Sequence, residues 1–284
     1  MNINGITPVI VDSDYLVIDK SGNFSLDESI WATIYLVGGG CDGSDGFYDE
    51  RNKIVHGGAG GDGGNVYKFG KIVLFKDIEY PVQIAESNDK DGTAITIRGK
   101  KYTCGDMGKY SCDGGTGSLI NSQKSMICSQ NGVTGIPSPI GYVGSSGGGG
   151  CAVYKNFSAT FGNGGTGAGS GRPIYYNNVS DGLQDNIFKQ INAKNYGCGG
   201  GGNTFCYNCT EFEDIELKSK GNGGCVIIVY EPYDENFPDL TVRYWGNTKR
   251  SRDVEIRNLR YRYEEILAKN KELKEKFSQI ETEN

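Results

Sequence analysis

Residues 57–65 read GGAGGDGGN, three successive Gly-Gly-X triplets with Ala59, Asp62 and Asn65 in the third place. Of the chain's 45 glycines, 42 fall between Gly38 and Gly224, so the bias belongs to one region with sharp edges. The same region holds VGGGCDGSDG, DGGTGS, SSGGGGCA, FGNGGTGAGSG, YGCGGGGN and GNGG. A three-residue period fits an extended left-handed helix with three residues per turn and about 3.1 Å of rise per residue. Such a helix has no internal hydrogen bonds, so its amides and carbonyls must pair with neighbouring helices. Glycine on two of the three faces lets backbones touch, with weak Cα–H···O contacts adding a little. The expectation is a packed layer of polyglycine-II helices. A flexible linker needs no such series of tracts interrupted by aromatic residues. Collagen is excluded because the triplets break after nine residues and the chain has only 7 prolines.

Competing readings of the glycine fail on context. GAGGDG matches the dinucleotide pattern G-x-G-x-x-G, but NVYKFGKIVLF follows with a strand pattern where that fold needs a helix. No Gly-Lys-Ser/Thr is present for a P-loop. GGAGGD begins like a calcium nonapeptide repeat, but Gly64 stands where that repeat wants a large apolar side chain, and no tandem copies follow. NDKDG at 88–92 lacks the acidic residue an EF-hand needs at its twelfth position, so a polar turn is the better reading.

The flanks read as β. PVIV and YLVID are short β-branched runs, SIWATIYLV alternates until Gly38, and CVIIVYE is a last strong strand. YPVQIAE and TAITIRGKKYTC predict a hairpin turning at Asp91-Gly92. Further on, Ile256, Leu259, Tyr263, Ile266, Asn270, Leu273, Phe277 and Ile280 fall at alternating spacings of three and four. That heptad register predicts a helix for oligomerisation or attachment, with Asn270 at an a position that commonly fixes register. The expected fold is mainly β: β-sandwich-like N-terminal and closing strands, a packed layer of polyglycine-II helices with long loops, and a C-terminal α-helix resembling a coiled coil. The expected domains are a glycine-rich β domain at 1–231, a linker at 232–250 and the helix at 251–284.

Net charge is −6. Residues 243–276 carry 11 Lys/Arg against 6 Asp/Glu and residues 277–284 add −2, which leaves −9 for residues 1–242. An acidic body speaks against nucleic-acid binding there. No apolar stretch approaches a membrane span. The start, MNINGITPVIVD, has neither the basic nor the apolar region of a signal peptide, so the nine cysteines are expected as free thiols made in a reducing cytosol. CYNC at 206–209 has metal or redox spacing. A zinc site needs two more ligands, and the single His56 is remote; a disulfide formed after release is the other alternative. No metal and no cofactor is expected. With one histidine and no placed partner, Ser-His-Asp or Cys-His chemistry has no support, so no enzyme and no catalytic residue are expected.

SGNFSLDESIWATIYLVGGGCDG resembles the opening of the glycine-rich domain recurrent in bacteriophage tail proteins: an aromatic in a strand, a loop, then an apolar strand running into Gly-Gly-Gly. GNGGCVIIVY resembles its closing, glycine into a β-branched strand. The resemblance covers about residues 15–231 and extends to the glycine-rich adhesins at phage tail-fibre tips. It implies a virion protein, made in the host cytoplasm, whose polyglycine helices hold out loops that recognise the bacterial surface. The nine cysteines and the C-terminal heptads depart from the family pattern. The insertions between tracts are rich in Tyr, Asn and Asp, which suit surface recognition. Candidate receptor contacts are Tyr175, Tyr176, Asn177, Asn178, Tyr196, Phe205 and Tyr207, with Phe47 and Tyr48 in a third insertion. Expected partners are a bacterial surface glycan or surface protein, other tail or baseplate proteins through the C-terminal helix, and further copies of the chain, a trimer by preference. The alternative is a purely structural baseplate or head-decoration subunit with the glycine layer as rigid spacer.

Overall fold

The structure is a computed structural model and describes residues 3–105, 110–155, 157–171, 191–208 and 219–233. The chain divides into two units, Met1–Glu235 and Asn236–Asn284. The expected C-terminal helix, with Ile256, Leu259, Tyr263, Ile266, Asn270, Leu273, Phe277 and Ile280, lies outside the described residues. The elements of the described part are all strands, mostly paired antiparallel.

Two five-stranded sheets share one core. The first runs β1 (Ile3–Gly5), β4 (Gly22–Leu26), β9 (Tyr80–Gln83), β10 (Ala94–Ile97), β11 (Lys100–Thr103). The second runs β2 (Ile10–Val11), β3 (Tyr15–Ile18), β19 (Cys225–Pro232), β5 (Ile30–Val37), β8 (Val66–Leu74). Alternation decides which residues meet between them: Ile30, Ala32, Ile34 and Leu36 of β5 and Val226 and Ile228 of β19 face Phe24, Leu26, Tyr80 and Ile95. CVIIV is a continuous apolar run because β19 is central and covered on both faces. Its other face, Cys225 and Ile227, packs with Val17, Tyr35 and Val37 under the hairpin of β14 (Ile136–Ser138) and β15 (Gly141–Val143). In β8 the alternation slips at Gly70. The pairing with β5 shifts register between Ala32 and Ile34, so Phe69 and Leu74 both reach the core across a bulge. The expected hairpin is present: β9 and β10 pair antiparallel with Asp91-Gly92 in the loop that joins them, and a second tight turn, Arg98-Gly99 with both residues at positive φ, leads from β10 into β11. The loop before Asp91 also lies against glycine: Gly39 N donates to Asp89 O and Asn88 N to Gly40 O.

The glycine tracts lie outside the strands and bond to one another with a period of three. Gly57, Gly60 and Gly63 donate to Ser118, Gly115 and Cys112. Gly58, Gly61 and Gly64 donate to Asn203, Gly200 and Gly197. Ala59, Asp62 and Asn65 accept from Ser44, Cys41 and Gly38. Residues 57–65 therefore turn each of three faces to a different tract. A fourth tract donates to the same rod, from Gly147 to Gly61 and from Gly150 to Gly58. A Cβ at Gly60 would overlap the Gly147 carbonyl, and one at Gly61 that of Cys41. The third places carry what room there is: Ala59 is exposed, Asp62 pairs with Lys90 at 3.1 Å, and buried Asn65 donates to Asp91. NDKDG is thus used as a polar bracket, with Asn88 Oδ1 also accepting from Asp42 N at 2.8 Å.

Buried thiols fill the glycine layer and the adjoining sandwich clusters, the latter through Cys104 and Cys225. Cys104, Cys112, Cys151, Cys198 and Cys225 are buried and free. Burial pushes the Cys104 thiol up to about 11 and the Cys151 thiol up to about 12. Cys151 Sγ donates to Ala159 O at 2.7 Å, so the neutral form has a partner. Cys206 is disulfide-bonded.

Candidate functional site

Each tract that leaves the sandwich ends in a short strand at the far side of the glycine layer. After residues 38–46 come β6 (Phe47–Asp49) and β7 (Ile54–His56), and the chain returns through 57–65. After 112–118 come β12 (Leu119–Asn121) and β13 (Met126–Ile127). After 144–151 come β16 (Ala152–Tyr154) and β17 (Phe157–Ser158), and after 197–203 comes β18 (Phe205–Tyr207). These pieces assemble at the end of the first unit that lies across the glycine layer from the sandwich, the tip. A four-stranded sheet runs β13-β12-β7-β6, and a three-stranded sheet runs β17-β16-β18.

Local chemistry closes the hairpins. The Asp49 carboxylate accepts from Arg51 N (3.0 Å), Asn52 N (3.1 Å) and Asn52 Nδ2 (2.7 Å). Those bonds, led by the Asn52 side chain, hold its pKa below the usual carboxylate value. Asn121 repeats the device, its Oδ1 accepting from Gln123 N and Ser125 N.

Register then sorts the side chains. Tyr48, Val55 and Ile120 stand opposite one another and face inward; Phe47, His56, Leu119 and Ile127 stand opposite one another on the outer face. The inner face packs on Ala152 and Ala159, with Tyr48, Tyr154, Phe157, Phe205 and Tyr207 half-buried around them. Tyr207 stacks on Tyr48 with ring centroids 3.7 Å apart and 19° between planes, and lies near-parallel to Tyr154 at 5.8 Å. Desolvation, then a hydrogen bond with Tyr207, pushes the Tyr48 phenol up. On the outer face Phe47 is 55% exposed and lies flat on His56, 4.3 Å between centroids. Ile127 is exposed beside them, and Met126, the partner of Ile120, is exposed at the edge of the opposite face. The arrangement offers ring faces and phenol hydroxyls, which suit recognition.

Of the sequence candidates, Phe47, Tyr48, Phe205 and Tyr207 come together here. Tyr196 does not. It sits at the sandwich end against the cluster of Val17, Val37 and Cys225, its hydroxyl donating to Asp19 Oδ2 at 3.2 Å, and burial beside that carboxylate pushes its phenol up to about 12. Tyr175, Tyr176, Asn177 and Asn178 lie outside the described residues.

Tyr154, Phe157 and His56 belong to the tip and escaped the sequence reading. The signal for them is parity. Successive tracts run out and back, so residues after an outward tract stand at the tip and residues before one stand at the sandwich. Tyr196 precedes the tract that begins at Gly197, and Tyr207 follows it.

No protein-family model and no curated protein matches this chain. Among the described residues no cluster of three or more His, Cys, Asp or Glu is placed to hold a metal. No helix of the described residues is long and apolar enough to cross a membrane.

Proposed function

We propose that this is a bacteriophage or phage-tail-like virion protein that binds a bacterial surface receptor through its tip. The glycine tracts are polyglycine-II helices, and nine such residues hold the tip roughly 25 Å from the sandwich. The observation that carries the reading is the tip itself: aromatic residues from separate interruptions of the glycine region gather at its far end, with Phe47 more than half exposed. Stacked rings with hydroxyls at their rim give contact area at low entropy cost and adaptable hydrogen bonds. The resemblance to tail-fibre-tip adhesins supports the same reading. The mechanism is binding without catalysis: several copies, joined through the heptads at 256–280 or attached by them to a fibre or baseplate, engage a repetitive surface by avidity.

A structural baseplate or head-decoration role is the competing reading. What favours it is that the Tyr48, Tyr207 and Tyr154 rings are half-buried and pack largely on one another. Labelled protein incubated with host cells and cell-wall fragments separates the two. Saturable binding supports the adhesin; its absence from correctly folded protein leaves the structural role.

A further inference from the structure

The tip turns carry a second pattern. Lys53, Lys124 and Lys155 each hold a positive φ, at 55°, 64° and 51°. That region disfavours residues with a Cβ, and turns that need it ordinarily take Gly, Asn or Asp. Of the described non-glycine residues with positive φ, all the lysines are at the tip; the others are Asp77, Asn88, Arg98 and Asn208. Lysine at these positions puts a long cationic side chain where such a turn ordinarily has a short one.

All three lysines are exposed, as is Arg51 in the first turn. Lys124 Nζ lies 5.7 Å from the Phe157 ring centroid and Lys155 Nζ 5.8 Å from that of Tyr154. Both charges are held beside the aromatic cluster. Of the two acids in the first turn, Asp49 is occupied with Arg51 N and Asn52, and exposed Glu50 offsets one of the four cations. Arg51, Lys53 and Lys124 form no ion pair among the described residues. This cationic rim stands on a body, residues 1–242, that sums to −9.

We infer that the tip's ligand is a phosphate-bearing surface glycan, its sugar rings against the tyrosines and its phosphodiesters against the lysines. The inference rests on the adhesin reading above. Lysine is a compact point charge that meets a tetrahedral phosphate from many angles, and the arginine fork matches phosphate as well as carboxylate, so a uronate polymer is the control that separates the two anions. The rim has three lysines to one arginine.

The test uses the full chain with poly(glycerol phosphate), neutral dextran and polygalacturonate. Wild type is compared with a triple Lys→Asn variant (Lys53, Lys124, Lys155) and a triple Lys→Arg variant. Asparagine accepts positive φ, so the turns keep their shape; circular dichroism and melting verify the fold. The expected result is saturable binding to the phosphate polymer at least about tenfold tighter than to either other polymer, weakened about tenfold between low and high salt. The Asn variant loses that binding and the Arg variant keeps it. Equal binding to dextran or polygalacturonate, no binding to the phosphate polymer, or an unchanged Asn variant overturns the inference. If cells are still bound while the phosphate polymer is not, the phosphate ligand fails and the adhesin stands; if cells are not bound, the adhesin reading fails.

Discussion

Tyr48, from the first interruption of the glycine region, stacks on Tyr207, from the last, with ring centroids 3.7 Å apart. Nothing local in the sequence joins them. They meet because the tract ending at Gly46 and the one ending at Asn203 run outward side by side, Asn203 N donating to Ser44 O and Gly200 N to Cys41 O. Aromatic pairs of this kind contribute about 0.5–1.5 kcal/mol beyond their buried area. A double-mutant cycle of Tyr48→Ala and Tyr207→Ala in urea denaturation is expected to show a coupling of about that size. Additive effects would mean that the rings do not stack in solution.

Gly60→Val is expected to cost several kcal/mol or to prevent folding, because its Cβ would overlap the Gly147 carbonyl. Ala59→Ser, at an exposed third place, is expected to stay within about 0.5 kcal/mol of wild type. Thermal melting of both variants checks the contrast. Similar melting temperatures would contradict the bonding of these faces.

That contrast shows what the sequence made legible. The triplets at 57–65 state the period, and the period alone predicts which places tolerate a side chain. The alternation of β5 and the closing run at 225–231 likewise predict their strands. The direction of each tract was harder to read, because it depends on counting outward and returning runs across insertions of unequal length. Tyr196 and Tyr207 look equivalent as aromatics beside the YGCGGGGN tract, yet they stand at opposite ends of the layer. The hairpin of β9 and β10 is legible, with Asp91-Gly92 in its loop, whereas the second turn at Arg98-Gly99 is not, because Arg98 is an unusual residue at positive φ. Nor is the contact of Asp91 legible: it accepts from Asn65, a partner far away in the sequence.

The buried thiols make stability depend on pH at the alkaline end. Cys104 and Cys151 are raised from 9.0 to about 11 and about 12 by burial. The folded state therefore keeps their protons while the unfolded state loses them. Their contribution is fully present below the unfolded value near 9.0 and is lost as pH rises through the folded values. Urea denaturation with reductant present is expected to show stability falling from about pH 9 upward, and less steeply in Cys151→Ala. A flat profile over that range would contradict the burial.

Among the described free thiols only Cys128 is exposed. Brief treatment of native protein with a thiol reagent, followed by peptide mapping, is expected to label Cys128 and to spare Cys104, Cys112, Cys151, Cys198 and Cys225. Rapid labelling of the buried five would show that the interior opens easily.

The most direct test of the central claim compares cell binding by three proteins: wild type, the tip variant Tyr48→Ala/Tyr207→Ala, and Tyr142→Ala. Tyr142 is an exposed aromatic residue at the sandwich end, in the β14–β15 hairpin. Saturable binding by wild type and Tyr142→Ala, with at least about a tenfold loss in the folded tip variant, is the predicted result. Equal binding by all three, or binding by none, would contradict the assignment of receptor recognition to the tip.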